Sequence, residues 1–439
     1  MAAKSKGMKA FFLVWVGQVF SMIGTAMTNF AMGIWAWEKT GQATPLALVG
    51  FFTMAPLIIM TPIAGVLVDR WNRKKVMAFS DIGAGLMTLT VFILMLSGKL
   101  EIWHLYITGA ISGIFGAFQW PAYSAAISLM VPKKQYARTS GMISIAESGV
   151  GIMAPVLAGI LLPVIDVTGI IAIDLVTLVI ALVFLLMVFI PDHKREPRKN
   201  TKNAFFRELI YGFRYILDRK GLLYIQLSFF LFNFFFAIAF TLLNPMILAS
   251  TGSNSAILGT VQSTGAIGSL VGALILTAWG GPKKKVLGVL GGWVIAGAGL
   301  ILMGVGRSLP FWLAADFLIM FVLPLVNGSN QAIWQAKVAP SVQGRVFSVR
   351  RLIAQVTGPL SMALAGPLAD DVFEPAFSIG EGWLVKLLSP VFGSGPGAGM
   401  SVIIAISGIL ALGVGLGAFQ NGQILHLEKL LPDHDEGHQ

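Results

Sequence analysis

The sequence predicts an all-α membrane protein in which about twelve transmembrane helices form two six-helix bundles. Apolar residues make up 56% of the chain and charged residues only 12%, whereas soluble domains are about 25% charged. About twelve apolar runs are each long enough to cross a bilayer. One long charged stretch divides these runs into two equal sets, a division typical of transporters that have a central site.

The first set of apolar runs makes up a predicted amino-terminal bundle, residues 1–190. Each run reaches or exceeds the about 20 residues that a helix needs to cross the hydrocarbon core. The predicted spans of this bundle are 10–37, 46–68, 76–97, 103–130, 139–163 and 168–190.

A charged cytoplasmic linker, residues 191–220, follows the first bundle. Its later part, Phe205 to Leu217, alternates apolar and cationic residues at helical spacing, which predicts an amphipathic helix on the membrane surface. The carboxy-terminal bundle is predicted over 221–439, with an extended external loop at 371–396 and a cytoplasmic tail. Its predicted spans are 221–250, 255–279, 286–306, 309–336, 346–368 and 397–420.

The cations of the chain predict its orientation. If the amino terminus lies in the cytoplasm, most of the 31 Lys and Arg residues fall in cytoplasmic segments. The external loops then hold only Lys39, Lys99, Arg307 and Lys386. This asymmetry predicts a multi-pass protein with both termini in the cytoplasm. The membrane is expected to be the bacterial plasma (inner) membrane. Anionic lipid of the inner leaflet, rather than nucleic acid, accounts for the net charge of +11.

Several function classes find no support in the sequence. The chain has no cysteine and only five histidines, which are scattered. No cluster of His, Asp and Ser suggests an active site, and no phosphate-binding loop suggests direct use of ATP. We therefore expect a monomer that is not an enzyme and that holds no cofactor or metal.

The link between the second and third spans carries the strongest motif. It reads Gly65-Val-Leu-Val-Asp69-Arg70-Trp-Asn-Arg73-Lys74-Lys75. Gly65 lies about one helical turn before Asp69, so a neighbouring backbone could approach beside the carboxylate. The motif resembles the loop between helices two and three of the major facilitator superfamily. The resemblance implies a cytoplasmic gate formed by Gly65, Asp69, Arg70, Arg73 and Lys74 with Arg345, Arg350 and Arg351 at the eleventh span.

Other stretches are similar to the macrolide-efflux branch of the drug/proton antiporters. They include Trp15-Val-Gly17-Gln18, Gly344-Arg345-Val-Phe-Ser348 and Gly366-Pro-Leu-Ala-Asp370. In the fifth span, Gly141, Pro155 and Gly159 resemble a degraded antiporter motif, and they predict a bendable, closely packed helix. One departure is Ser112, which stands where these exporters often carry an arginine, so no proton-coupling role is carried over to that position.

Polar side chains inside the spans predict a substrate cavity. Gln18 and Asn29, Asn233 and Asn244, and Asp316 and Asn327 are each about three helical turns apart, so each pair shares one helix face. The resemblance places these helices and the fourth span around a central cavity. Interhelix hydrogen bonds would be an alternative role for the amides. The predicted cavity residues are Gln18, Asn29, Gln119, Trp120, Tyr123, Asn233, Asn244, Asn327 and Gln331.

Four acids are predicted to lie within the bilayer, namely Asp81, Glu147, Asp174 and Asp316. An ionised group is costly there, so each acid is expected to have a structural or functional role. We expect Asp81 to pair with the nearby basic turn and Asp174 to make structural hydrogen bonds. Glu147 lies on a helix that the resemblance turns toward the partner bundle, and Asp316 lies on a cavity helix. Glu147 and Asp316 are therefore the candidates for proton coupling, and burial is expected to let Glu147 exchange a proton.

Together these features predict a secondary active transporter. The expected function is proton-coupled export of small amphipathic drugs such as macrolides, because the predicted cavity is rich in aromatic and soft side chains. The alternatives are an exporter of a siderophore or peptide metabolite, or a lysolipid flippase, since each of these needs a large amphipathic cavity. A polytopic membrane enzyme is the remote alternative.

Overall fold

The computed structural model describes residues 7–132, 135–190, 202–379 and 383–433. In these residues the secondary structure is helical, without a β-strand. The longer helices are α1 Met8–Thr40, α2 Ala43–Arg70, α3 Arg73–Leu96, α4 Ile102–Met130, α5 Tyr136–Met187, α6 Lys202–Leu217, α7 Lys220–Thr251, α8 Ser255–Trp279, α9 Lys285–Val305, α10 Leu309–Lys337 and α11 Pro340–Pro367. They are followed by a π-helical turn, Leu368–Phe373, and by α12 Glu374–Ile379, α13 Trp383–Phe392, α14 Ala398–Gln420, α15 Gly422–Leu425 and α16 Leu427–Leu430.

Within the described residues, 10 helices are long and apolar enough to cross a membrane. The longest of them, α5, breaks at Asp166, which has a left-handed φ of 56°. The break gives two arms, 136–165 and 167–187, at the positions of the predicted fifth and sixth spans. α4 is not among the 10, but its 29 residues are long enough to span a bilayer. The prediction of an all-α membrane fold is confirmed.

Side chains and glycines set several helix ends. Asn72 precedes α3, and its side-chain oxygen accepts a hydrogen bond from the backbone N–H of Lys75 at 3.1 Å. Glu101 and His104 form a reciprocal capping box at the start of α4. Gly41 ends α1 with a φ of 63°, a conformation that glycine adopts without steric cost. The turns between neighbouring spans are therefore specified locally.

The chain divides into two compact units. Unit 1 contains α1 to α5 and residues 251–263, which comprise the end of α7, the turn after it and the beginning of α8. Unit 2 contains α6, α7, the remainder of α8 and all later helices. The first boundary, after Pro197, falls inside the predicted linker, of which residues 191–201 lie outside the described residues.

In unit 1 the helices pack closely through small residues. A Cβ on Gly17 of α1 would lie 3.1 Å from the Cα of Ala181 in the second arm of α5. The neighbouring Gly24 faces Asp174 in the same way, with a Cβ 2.9 Å from the Cα of that aspartate. α4 lies against α2 through Gly113, whose Cβ would meet the backbone carbonyl of Thr53. Small residues of this kind allow helix backbones to approach in a membrane.

In unit 2, α9 packs between α10 and α14. A Cβ on Gly297 of α9 would lie 2.7 Å from the backbone nitrogen of Leu412 in α14. A Cβ on Gly299 would lie 2.6 Å from the side chain of Ile319 in α10. Trp293 is completely buried and stacks on Phe232 of α7 at 5.4 Å between ring centroids. This aromatic stack joins α9 to α7 within unit 2.

The amphipathic helix predicted in the linker is present as α6, and one of its faces packs on protein. A Cβ on Gly212 would lie 2.6 Å from the carbonyl oxygen of Arg345 in α11. The Tyr215 hydroxyl donates to the carbonyl oxygen of Lys337 at 3.4 Å. Ile210 and Leu217 remain exposed on the outer side. The helix is thus half anchored to unit 2, and only its other face is free to meet lipid.

The predicted loop 371–396 contains short helices rather than irregular chain in its described part. The π-helical turn and α12 continue from α11, and α13 follows residues 380–382, which lie outside the described residues. The Glu374 carboxylate accepts hydrogen bonds from the backbone N–H groups of Gly397 at 3.1 Å and Met400 at 2.8 Å. A carboxylate at this position satisfies the first turn of α14. The segment is therefore tied to the transmembrane helix that follows it.

Candidate transport site

A groove of about 480 Å³ opens in unit 1 between α4 and the first arm of α5. Trp120 of α4 contributes a half-exposed ring to it, and Glu147 of α5 contributes a carboxylate. Serine and threonine hydroxyls lie between these two side chains. The groove is lined by Trp120, Ser124, Ile127, Ser128, Tyr136, Thr139, Ser140, Ile143, Ser144 and Glu147.

The sequence predicted that Glu147 is buried. The structure instead leaves its side chain exposed in this groove. Two helical turns separate it from Thr139, so both side chains face the same opening. Tyr123 of α4 is buried nearby, within electrostatic reach of Glu147. The Tyr123 hydroxyl has no hydrogen-bond partner among the described residues. The structure therefore brings two predicted site residues, Trp120 and Glu147, to one opening, and the ring of Tyr123 lies behind it, 6.3 Å from the ring of Trp120 between centroids.

Two other predicted cavity residues, Gln18 and Gln119, are joined inside unit 1 by hydrogen bonds to Asp81. The Gln119 side-chain amide donates to Asp81 Oδ1 at 2.8 Å and to Gln18 Oε1 at 3.1 Å. The Gln18 amide donates to Asp81 Oδ2 at 3.4 Å. Among the described side chains, Asp81 therefore pairs with neutral amides of α1 and α4 and not with the basic turn as predicted.

Sequence reasoning missed this cluster, although the sequence contained a signal for it. Gln18, Asp81 and Gln119 lie two to three helical turns from the same-side ends of α1, α3 and α4. Polar residues at one depth on three adjacent spans tend to hydrogen-bond with one another. Depth along the span, compared between helices, would have placed them together.

The other polar residue predicted on the same face of α1, Asn29, is exposed and makes no contact with Gln18. Between the two, Thr25 donates a hydrogen bond from its hydroxyl to Asp174 Oδ1 at 3.0 Å. Asp174 is 3% exposed and lies against Gly24 of α1. Its geometry agrees with the predicted structural role, because the carboxylate joins α1 to the second arm of α5.

Asp316 in unit 2 is buried against α8. A Cβ on Gly265 would lie 2.8 Å from the carboxyl carbon of Asp316. One carboxylate oxygen of Asp316, Oδ1, is buried and has no hydrogen-bond partner among the described residues. Gly268 and Gly272 continue the close contact of α8 along α10. The aspartate therefore lies in a close contact between two helices, and no described cation forms an ion pair with it.

Three predicted gate arginines lie on α11 and have different environments. The Arg350 guanidinium donates to Gln331 Oε1 at 2.8 Å and lies 5.3 Å from the ring centroid of Trp334. Arg345 lies over the ring of Tyr211 in α6 at 4.7 Å. Arg351 is exposed. Gln331, predicted as a cavity residue, is thus a partner of Arg350.

The remaining predicted cavity residues lie in unit 2. Asn233 and Asn244 on α7 are half-buried, and Asn244 takes part in further polar interactions. Asn327 on α10 is exposed, whereas the neighbouring Asn330 is 1% exposed and accepts a hydrogen bond from the Trp334 indole at 3.1 Å. The role of these asparagines in a pathway stays a prediction.

The basic turn between α2 and α3 differs from the expectation at two positions. Lys74 donates hydrogen bonds to the carbonyl oxygens of Leu186 at 2.9 Å and Val188 at 2.6 Å, which stabilises the end of α5. A Cβ on Gly65 would meet no described heavy atom within 4 Å, so no backbone approaches there as predicted. Arg73 Nε is buried without a described hydrogen-bond partner. The side chains of Asp69 and Arg70 lie outside the described residues, and their gate role stays a prediction.

The predicted packing motif of the fifth span is present only in its second half. A Cβ on Gly159 would lie 3.0 Å from the carbonyl oxygen of Ser255 at the start of α8. The carbonyl oxygen of Pro155 would lie 2.5 Å from a Cβ on Gly259. Gly141, in contrast, has open space where a Cβ would be. The prediction of close packing is therefore wrong for Gly141 in the described structure.

Ten membrane-length helices among the described residues define a multi-pass membrane protein, and the groove in unit 1 offers aromatic, hydroxyl and carboxylate side chains. Among the described residues, no three His, Asp or Glu side chains are grouped so that they could hold a metal ion. Residues 14–362 match the family model of the Major Facilitator Superfamily, and the chain belongs to that superfamily.

Individual relatives agree with this family. Macrolide efflux protein A of Streptococcus pyogenes is 28% identical over 376 residues, which cover 82% of this chain and 90% of that protein. Macrolide efflux protein A of Enterococcus faecalis is 28% identical over 324 residues, 72% of this chain and 98% of that protein. Among solved structures, a bacterial homologue of the human lysosomal transporter Spinster, inward-facing and unoccupied, has a TM-score of 0.67 at 16% identity. It covers 94% of this chain and 98% of its own, and it shows the fold alone.

Proposed function

We propose that this chain is a proton-coupled exporter of bulky amphipathic compounds, with macrolides as the first substrate class to test. The observation that supports the proposal most is the groove between α4 and α5. It combines the exposed ring of Trp120, several hydroxyl groups and the carboxylate of Glu147. Two relatives that align with most of the chain are macrolide efflux proteins, which supports the same substrate class.

The chemistry of the groove suits a large substrate with both apolar and polar faces. Its volume of about 480 Å³ lies in the usual range for small-molecule sites. Trp120, Ile127 and Ile143 offer an apolar wall, and the serine hydroxyls offer hydrogen bonds without adding charge. A basic amine on the substrate would pair with the carboxylate of Glu147, the single acidic group among the described lining residues.

Proton coupling follows if a proton and the substrate compete for the same carboxylate. Glu147 can then release a cationic substrate when it takes up a proton, and lose the proton when substrate binds. Such mutual exclusion produces antiport without ATP, provided that the protein alternates between two states of different affinity. Asp316 is the second candidate, because it is buried and one of its oxygens has no described partner.

The proposed location is the bacterial inner membrane, with both termini in the cytoplasm. The distribution of Lys and Arg supports this orientation through the positive-inside rule. In this orientation the groove would lie toward the cytoplasmic half of unit 1, since its residues come from the end of α4 and the start of α5. Alternating access would load the substrate from the cytoplasm or inner leaflet and release it outside.

The test is transport into everted membrane vesicles that carry the protein. Acidifying the vesicle lumen should drive macrolide accumulation, and an uncoupler should abolish it. A panel containing a siderophore, a hydrophobic peptide and a lysolipid distinguishes the alternatives. Accumulation of one of these compounds without any macrolide accumulation would replace the substrate class. Equal macrolide uptake with and without a pH gradient would contradict proton coupling.

A further inference from the structure

The carboxylate of Asp81 lies outside the groove and is buried between two glutamine amides, and the proposed transport cycle gives it no role. Asp81 of α3 is 9% exposed, and hydrogen bonds from two different helices reach its two oxygens. Both donors, the Gln18 and Gln119 amides, are uncharged. A carboxylate buried among neutral partners is costly to keep ionised within a membrane.

No cation compensates for Asp81 in the described structure. The charged or titratable groups on its packed neighbours are Lys9, Glu38 and Lys39 on α1, His104, Tyr106 and Tyr123 on α4, and Tyr136, Arg138, Glu147, Asp166 and Asp174 on α5. None of them forms an ion pair or a hydrogen bond with Asp81, whose described partners are the two glutamines. On its own helix, Lys74 is engaged at the end of α5, and neither Arg73 nor Lys75 forms a described hydrogen bond or ion pair with Asp81. On α2, the side chains of Asp69 and Arg70 lie outside the described residues.

The hydrogen-bonded group of Gln18, Asp81 and Gln119 also contains a free acceptor that could accept a hydrogen bond from a protonated Asp81. Gln119 Oε1 is buried and has no hydrogen-bond partner among the described residues. Its own nitrogen donates both to Asp81 Oδ1 and to Gln18 Oε1. If Asp81 gained a proton, the new O–H could donate to Gln119 Oε1 after rotation of the amide. The unpartnered oxygen would then be satisfied, and the donor pattern would be reversed.

We propose that Asp81, held between Gln18 and Gln119, is a second proton-binding site, at which protonation exchanges the hydrogen bonds that connect α1, α3 and α4. The reaction adds one proton to the carboxylate and forms one O–H bond, and no other bond is made or broken. The Gln119 amide turns, so that its oxygen accepts from Asp81 and its nitrogen no longer donates to that carboxylate.

The exchange of hydrogen bonds at Asp81 would affect the groove because Gln119 lies on α4, one of the two helices that line it. Gln119 is the residue before Trp120, whose ring lies in the groove, and Tyr123 lies one turn further along the same helix. A change of partner at Gln119 therefore alters the anchoring of the helix that carries the aromatic wall. The inference adds a proton site to the proposed coupling mechanism, but proton binding itself can be measured without any transport.

The test is an infrared titration of the purified protein in lipid vesicles. The C=O stretch of a protonated carboxyl group is separate from that of a carboxylate, so acidification should produce a new band. We expect Asp81→Asn to lose one component of that band, whereas the matched control Asp174→Asn, another buried aspartate of unit 1, keeps it. Gln119→Leu should retain the Asp81 component at a shifted frequency, because the acid has lost its acceptor.

The outcomes separate this inference from the proposed function. A carboxyl band in Asp81→Asn identical to that of the wild type would overturn the Asp81 site, whatever the transport result. Suppose that Asp81→Asn loses the Asp81 component and that the wild-type protein shows no proton-driven efflux. This result would support the Asp81 site and contradict the coupling proposal. If Asp81→Asn does not fold, the frequency shift in Gln119→Leu decides, and an unshifted band in that variant also overturns the site.

Discussion

Lys337, the last residue of α10, is buried and forms an ion pair with Asp433 in the tail, with 2.7 Å between Nζ and Oδ1. The side chain of Lys337 is 3% exposed, whereas that of Asp433 is 47% exposed. The lysine also donates to the carbonyl oxygens of Glu428, at 2.9 Å, and Leu431. A buried ammonium group requires such partners, because desolvation without them is costly. The tail is therefore part of the folded unit 2.

The first prediction is that Asp433→Ala lowers the stability of the protein. Removing the acid leaves the buried Lys337 charge with two carbonyl partners only. We expect a loss of about 1.5–3 kcal/mol, the usual contribution of a hydrogen bond to a charged group. Thermal unfolding in detergent, followed by tryptophan fluorescence, measures the change.

The exposed pair Lys39–Glu101 provides the matched control. Its two side chains are 34% and 56% exposed, with 3.1 Å between Nζ and Oε2. Because solvent screens such a pair, Glu101→Gln should cost about 1 kcal/mol or less. Equal destabilisation by both substitutions would contradict the special role assigned to the buried lysine.

The second prediction is that Glu147→Gln abolishes uphill export while substrate binding survives. The amide resembles the protonated carboxyl group in shape and polarity but cannot exchange a proton. In proteoliposomes with an imposed pH gradient, we expect gradient-driven efflux to fall at least tenfold. Equilibrium binding of a neutral substrate should change little.

Asp316→Asn should act in the same way if the two acids share the coupling task. If Asp316 instead provides a counter-charge, the substitution should weaken the binding of cationic substrates only. Glu101→Gln, far from the groove lining, serves as the transport control. Full gradient-driven transport by Glu147→Gln would remove Glu147 from the mechanism and leave Asp316 as the candidate.

The third prediction concerns Gly265, which lies against Asp316. A Cβ there would be 2.8 Å from the carboxyl carbon and 3.1 Å from Cγ of Met320. Gly265→Ala should therefore destabilise the protein by about 1–3 kcal/mol, as overpacking does in dense interiors. Gly291→Ala on α9 is the control, because a Cβ there meets nothing within 4 Å.

That control should be neutral or stabilising by up to about 1 kcal/mol, since alanine favours a helix more than glycine does. Thermal unfolding of both variants, measured side by side, gives the comparison. If Gly265→Ala unfolds at the wild-type temperature, the close contact between α8 and Asp316 does not exist in the membrane protein.

The fourth prediction concerns the gate that the resemblance assigns to Asp69. We expect Asp69→Asn to insert normally and to weaken closure of the cytoplasmic side. A partly buried charged contact of about 1–3 kcal/mol is enough to shift a two-state balance several-fold. The chain contains no cysteine, so single cysteines can be introduced and labelled from each side of the membrane. Unchanged labelling and normal efflux in Asp69→Asn would exclude a gating role.

The sequence predicts the positions of the helices well. The predicted eighth span, 255–279, coincides with α8, and the predicted tenth, 309–336, differs from α10 by one residue. Hydropathy is a local property, and a bilayer demands a run of apolar residues wherever a helix crosses it. The helical order of the chain could therefore be predicted without any contact being known.

The partners of the polar residues could not be predicted in the same way. The sequence suggested that Asp81 pairs with the basic turn and that Glu147 is buried, whereas Asp81 accepts from two glutamines and Glu147 faces an open groove. Gly141 and Gly65 have motif-like spacing, but a Cβ added at either position would meet no described heavy atom within 4 Å. Spacing along one helix shows which residues share a face, but it does not show which other helix that face meets.

The sequence by itself determined the class of this protein, its spans and its charge asymmetry, because each depends on the transfer of local segments between water and lipid. Only the tertiary structure decided that Gln18, Asp81 and Gln119 meet, and that Lys337 is held by the tail. Those contacts join residues far apart in the chain, and they depend on the packing of small residues between helices. The free energy of a buried polar group is set by the partners that packing provides.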